Sequence, residues 1–121
     1  MALSRLAAQF AAEIKQHDWS DAPFRADQAG HDRELHPTTE PQLEPRQTEK
    51  VRANAAWVTA QVLAYNDPNF NEHEFFRACG LDWRRSDGSQ DWGVTSGLRF
   101  EEDSDGTRRF HAPGTRRPDP A

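Results

Sequence analysis

Leu3, Leu6, Ala7, Phe10, Ala11 and Ile14 recur three and four residues apart, while Arg5, Gln9, Glu13 and Lys15 or Gln16 take the opposite side. Apolar residues at that interval line one side of a 3.6-residue turn. The spacing therefore predicts an amphipathic helix over about residues 3–17. A second, longer helix is predicted over 47–66, QTEKVRANAAWVTAQVLAYN. There Val51, Ala55, Val58, Val62 and Tyr65 form one stripe, and Ala56, Ala60 and Leu63 widen it. Thr48 is the expected N-cap, with Pro45 just before the start. The alanines permit close approach of another helix, and the first helix is the natural partner.

Between these helices the period is lost. Pro23, Pro37, Pro41 and Pro45 punctuate residues 18–46. Proline fixes φ and pushes the residue before it towards extended geometry. HPTTEPQLEPR, within about 35–46, is therefore expected to be a stiff, extended connector. Trp19, Phe24 and Leu35 are its expected anchors on a core. A short helical turn is expected at Asp27 to Arg33, weakened by Gly30.

Residues 70–81 follow the rules for helix ends. Asn71 is placed as an N-cap, with Glu74 three residues on at the capping-box position. Phe70 before the cap and Phe75 at the fourth helical position match a hydrophobic staple. Gly80 is placed where a positive φ ends a helix, and Leu81 then meets Phe76. Beyond a polar, turn-rich stretch, DWRRSDGSQD, Trp92, Val94, Leu98 and Phe100 alternate with smaller or polar residues. Period two predicts a strand. A three-residue loop Ser104-Asp105-Gly106, with Gly106 left-handed, would set Phe100 opposite Phe110, Glu101 opposite Arg109 and Glu102 opposite Arg108. The expected fold is small α+β: two main helices and one short capped helix, with a C-terminal β-hairpin whose Trp92/Val94/Leu98/Phe100/Phe110 face packs on the helices. Residues 1–112 are expected to form one domain, with 113–121 a disordered tail.

Composition changes this picture little. Hydrophobic residues are 35% of the 121 and charged residues 29%, so part of the chain is expected outside any core. The formal net charge is −5, and no third of the chain carries a basic excess. No apolar run approaches membrane-spanning length, and the N-terminus lacks the pattern of a secretory signal. The single cysteine, Cys79, suggests a reducing cytoplasm. The strong preference of Arg over Lys, with abundant Ala, suggests a GC-rich source.

Candidate chemistry is sparse. His73, Glu74 and Cys79 invite a metal or catalytic reading, but each has a structural role in the helix just described. A zinc-protease motif also needs a second His four residues after the first, where Arg77 stands. His31-Asp32 with His36 comes nearest to an acid–base or metal cluster. Its spacing fits no helical ligand pair, and a solvated loop is expected. No phosphate-loop, dinucleotide or nucleophile-elbow motif occurs. No catalytic residue, metal or cofactor is therefore expected.

The C-terminal third interleaves basic and aromatic residues: Arg84-Arg85 beside Trp83, Arg108-Arg109 beside Phe110, then Arg116-Arg117. Such interleaving suits single-strand platforms. The same third is acidic, however, and Glu102 and Glu101 are expected to neutralise Arg108 and Arg109. The expectation is a non-enzymatic protein-interaction or assembly module, with an unidentified protein partner or self-association and no membrane. The alternative is a nucleic-acid-binding accessory protein. Trp83, Arg84, Arg85, Trp92, Arg99, Trp19 and Phe24 are the candidate interaction surface, and Asn71, Glu74 and Gly80 the structural caps. The FN–EF–ACG pattern of 66–81 resembles segments of short uncharacterised proteins of actinobacteria and their phages. That resemblance implies an accessory protein of a phage or mobile element, with no activity and no functional residues.

Overall fold

Ser4 opens the first helix by accepting the N–H of Ala7 on its side chain, at 3.1 Å. The structure, a computed structural model, describes residues 3–26, 28–81 and 92–116, and of Trp92 the backbone only. Helix α1 spans Arg5–Gln16 and α2 spans Pro45–Asn66. Helix α3 spans Glu72–Ala78 and α4 spans Trp92–Ser96. Strands β1, Phe100–Glu102, and β2, Arg108–Phe110, close the order as an antiparallel pair. The described residues thus form a small α+β fold of four helices and one hairpin.

Helix α2 begins earlier than its expected cap at Thr48. Glu44 is the N-cap and Pro45 the first helical residue, where a missing N–H costs nothing. Gln47 reaches back to accept the N–H of Glu44 at 3.0 Å, and the Thr48 hydroxyl donates to the Glu44 carbonyl.

The core face of α2 also differs from the expected stripe. The buried residues are Ala53, Ala56, Ala60, Gln61, Leu63 and Ala64. Val58, at the centre of the predicted stripe, is 72% exposed. The alanine side wins because Ala7 and Ala11 of α1 meet it with equally small side chains. Two small-residue faces let helices approach closely, and Phe75 and Phe76 of α3 fill the space left beside them. Full burial of each phenyl contributes about 1.5–3 kcal/mol. On α1 the buried residues are Ala7, Ala11 and Ile14, while Leu6 and Phe10 stay exposed.

Helix α3 follows its expected grammar in cap, staple and C-terminal turn, the cap being made by the Asn71 side chain. Asn71 Oδ1 accepts the N–H groups of His73 and Glu74, both at 3.0 Å. Phe70 and Phe75 form the staple, with ring centroids 5.4 Å apart. Gly80 has φ +87°. The Leu81 N–H bonds the Phe76 carbonyl at 2.9 Å and the Gly80 N–H bonds the Arg77 carbonyl at 3.0 Å. That pair of bonds is the Schellman arrangement, and Leu81 and Phe76 are both buried beside it.

The C-terminal strand is shorter than expected. Residues 92–96 are helical, and pairing starts only at Phe100. Val94 and Leu98 are four residues apart, a separation that one face of a strand and one face of a helix share. Tertiary packing decides between them. Trp57 of α2 donates its indole N–H to the Val94 carbonyl at 3.0 Å. Its ring also lies so close to Gly97 that a Cβ there would stand 2.0 Å from Nε1. Val94 and Leu98 are buried.

The hairpin register is the expected one: Phe100 pairs with Phe110, Glu101 with Arg109 and Glu102 with Arg108. Gly106 has φ +87°, and the Asp103 N–H closes the loop on the Thr107 carbonyl at 2.8 Å. Gln61 ties the hairpin base to α2. Its amide donates to the carbonyls of Arg99 and His111, and its oxygen accepts the Arg99 N–H.

Candidate functional site

Side chains two apart on a strand share a face. Arg108 therefore points the same way as Phe100 and Phe110, towards α3. Its guanidinium lies 5.2 Å from the Phe100 ring centroid and 5.0 Å from that of Phe110. Beyond the rings it donates to both oxygens of Glu72, at 3.0 and 3.2 Å. Glu72 is buried. The expected neutralisation of Arg108 by Glu102 is thus replaced by a fork on Glu72, because the inward face of the hairpin must find its acid inside. Arg109, on the outward face, reaches Asp103 at 3.3 Å instead of Glu101.

His73 follows Glu72 on α3. Its Nε2 lies 3.1 Å from the Thr95 hydroxyl of α4, and that hydroxyl is 3.5 Å from Glu72. Two open clefts flank Arg108. One, about 510 Å3, lies between the end of α2 and β2 and includes Tyr65, Asp67, Pro68, Phe70, Arg109 and Phe110. The other, about 390 Å3, includes Asn71, His73, Thr95, Phe100 and Gly106.

The loop between α1 and α2 holds a second polar cluster around His31, where a solvated loop is expected for His31-Asp32 and His36. His31 and Asp21 are both fully buried, with Nε2 3.2 Å from each carboxylate oxygen. Arg33 approaches the same carboxylate at 3.5 Å. It also donates to the carbonyls of Glu40, at 2.6 Å, and Pro41, at 3.3 Å. The Leu43 N–H bonds the Ser20 carbonyl at 2.6 Å. The proline-rich run is therefore clasped to residues 20–33. Of the expected helical turn at 27–33, Asp27 lies outside the described residues; over 28–33 a turn at Gly30, with φ +82°, is followed by one at Asp32–His36.

Asp18 anchors this loop. It accepts from the Ser20 N–H and hydroxyl and from the Arg33 N–H. Partial burial pushes its carboxyl up, but the Ser20 and Arg33 hydrogen bonds and the nearby His31 outweigh that and hold it below its ordinary value. His31 and Asp21 are sealed from solvent and act as an internal clasp.

The expected interaction residues separate. Trp83, Arg84 and Arg85 lie outside the described residues, as does the Trp92 side chain; so do residues 117–121 of the expected tail. Trp19 is half-buried against the core, its indole N–H donating to the Ile14 carbonyl at 2.9 Å. Phe24 is 42% exposed and Leu35 74% exposed, so neither serves as the expected anchor on the core. Arg99 serves through its backbone, held by Gln61. Cys79 is fully buried. Burial pushes its thiol up to about 12 against the opposing pull of Arg52, so it carries no thiolate at neutral pH. Among the described residues no three His, Cys, Asp or Glu side chains are placed to hold a metal ion. Among them, too, no helix is long and apolar enough to cross a membrane.

Part of the apolar stripe expected inside is an accessible series on α2. Val58, Val62 and Tyr65 are 72, 43 and 40% exposed on the outer side of α2. Tyr65 also lines the larger cleft beside Arg109 and Phe110. The outer seam of α2 and that cleft thus share a residue. Comparison with protein-family models, with curated proteins and with solved structures found no match to this chain.

Proposed function

We propose that this chain is a non-enzymatic protein-interaction module, with the outer face of α2 as its working surface. The observation that carries the proposal is the exposed series Val58, Val62 and Tyr65, which ends beside the hairpin cleft. Exposed apolar side chains are common singly, whereas an aligned series at helical spacing marks a contact face. The residues with chemical potential have structural partners: His73 on Thr95, Glu72 on Arg108, His31 on Asp21. The lone thiol of Cys79 supports a reducing, cytoplasmic setting.

The alternative, nucleic-acid binding through the C-terminal third, draws less support. Arg108 is committed to Glu72 and Arg109 is 3.3 Å from Asp103, so neither guanidinium is a fully open phosphate contact. A photo-reactive phenylalanine analogue at Val62, compared with one at the exposed Gln9, tests the first reading. Irradiation in an extract of the source organism, and of the pure protein, should give a discrete protein adduct from position 62 alone. No adduct from 62, with salt-sensitive DNA binding lost in Arg109→Ala, would favour the alternative.

A further inference from the structure

Resting on that reading, we propose that the occupant of the α2 seam is a second copy of this chain, packed antiparallel across a twofold axis near Val58. The seam residues are Val51, Ala55, Val58, Val62 and Tyr65, separated by four, three, four and three positions. That alternation is the 3.5-residue period of a two-helix seam. At 100° per residue it falls about half a turn from Ala56 and Ala60, which face the core. Helix α2 therefore carries two seams, one filled by α1 and α3 and one on which Val51 and Ala55 are half-buried and Val58, Val62 and Tyr65 are exposed.

Charge points to a like surface as the occupant. The chain carries a formal −5, so two copies repel each other over most of their surface. The stretch from Ala53 to Asn66 nevertheless has no charged residue on any side of the helix. A basic or acidic partner finds nothing there to pair with. A second copy meets no like charge there, which an isologous contact requires, since the same patch faces itself.

Volume points the same way. With Val58 on the axis, an antiparallel copy sets Tyr65 against Val51 and Val62 beside Ala55, so each larger side chain meets a smaller one. The antiparallel arrangement also opposes the two helix dipoles favourably. From Val51 to Tyr65 the contact runs about 21 Å. That is small for an interface, so association is expected to be weak and reversible.

Sedimentation velocity of the full chain from about 1 µM to about 1 mM should show the mass rising from 13.8 kDa towards twice that value. Val58→Arg should remain at 13.8 kDa throughout. Its circular dichroism and melting temperature should match the parent, because Val58 is on the surface. Val58→Cys should form an intermolecular disulfide under mild oxidation far faster than Gln9→Cys, since only a residue near a twofold axis meets its own copy. Monomer at every concentration, or a dimer that survives Val58→Arg, would overturn the inference. If the parent stays monomeric while the photo-reactive group at Val62 captures a different protein from extract, the self-pairing fails and the interaction reading stands. If Val62 captures nothing in either setting, both fail.

Discussion

Arg108 shows how one side chain joins separate parts of the chain. Its guanidinium lies over two adjacent phenyl rings, and its fork closes on a buried carboxylate thirty-six residues away in sequence. Removing one partner of such a pair strands the other. Arg108→Met should therefore cost about 2–3 kcal/mol, through the lost charged hydrogen bonds and an unpaired Glu72. Its side chain is 31% exposed, which keeps the loss below that of a fully sealed pair. Arg108→Met combined with Glu72→Leu should recover most of the loss, because neither charge is then left buried alone. Urea unfolding of the two variants checks this. Equal destabilisation would mean that the ion pair is incidental. Arg108 was legible in the hairpin register, since its parity with Phe100 and Phe110 sends it inward. Its partner was not, because no local rule links position 108 to position 72.

At the scale of elements, α3 is the part that local rules describe almost completely. Asn71, Phe70, Phe75, Gly80 and Leu81 occupy the positions that cap, staple and termination require. Asn71→Ala should cost about 1 kcal/mol. Gly80→Val should cost more, because φ is +87° there and Lys15 Cγ of α1 lies 3.3 Å from where a Cβ would be. Thermal denaturation with matched buffer checks both, and melting points equal to the parent's would refute the capping account. The α4 segment shows the opposite case. Its apolar residues satisfy two periods at once, and Trp57 selects the helical one by bonding Val94 and leaving no room for a side chain at Gly97. Helix α2 is a third case. Both of its apolar faces are visible in the sequence, but which one is buried depends on the small residues that α1 presents.

Across the whole molecule, the loop from His17 to Leu43 is closed by buried polar groups, with Asp18 at its entrance. Its carboxyl is held below the ordinary value of 3.8 in the folded chain. Above that value it is ionised in both states, and its stabilisation is fully present. As the pH falls below 3.8 the unfolded form takes up the proton first, and the stabilisation is lost through the lower folded value. Asp18→Asn should therefore be less stable than the parent at pH 7 and lose less stability between about pH 5 and pH 2. Urea midpoints measured over that range check the difference in slope. Parallel slopes would show that Asp18 does not contribute to the acid limb.

Local pattern determined helices α1 to α3, the grammar of residues 70–81 and the register of the hairpin, because caps, staples and turns are set by neighbours within a few residues. Besides the helical state of α4, tertiary structure decided three things that local pattern left open. It buried the alanine face of α2 and turned Val58, Val62 and Tyr65 outward, since only the small face admits α1 closely. It drew Asp21 and His31 under the proline-rich loop, where a sequence of isolated polar residues reads as solvated. It set Glu72 beneath Arg108 and Gln61 beneath the hairpin base, pairings over thirty-six and thirty-eight residues that need the packed chain to exist. Periodicity shows that a face is apolar; which face meets water follows from how closely its neighbours can approach.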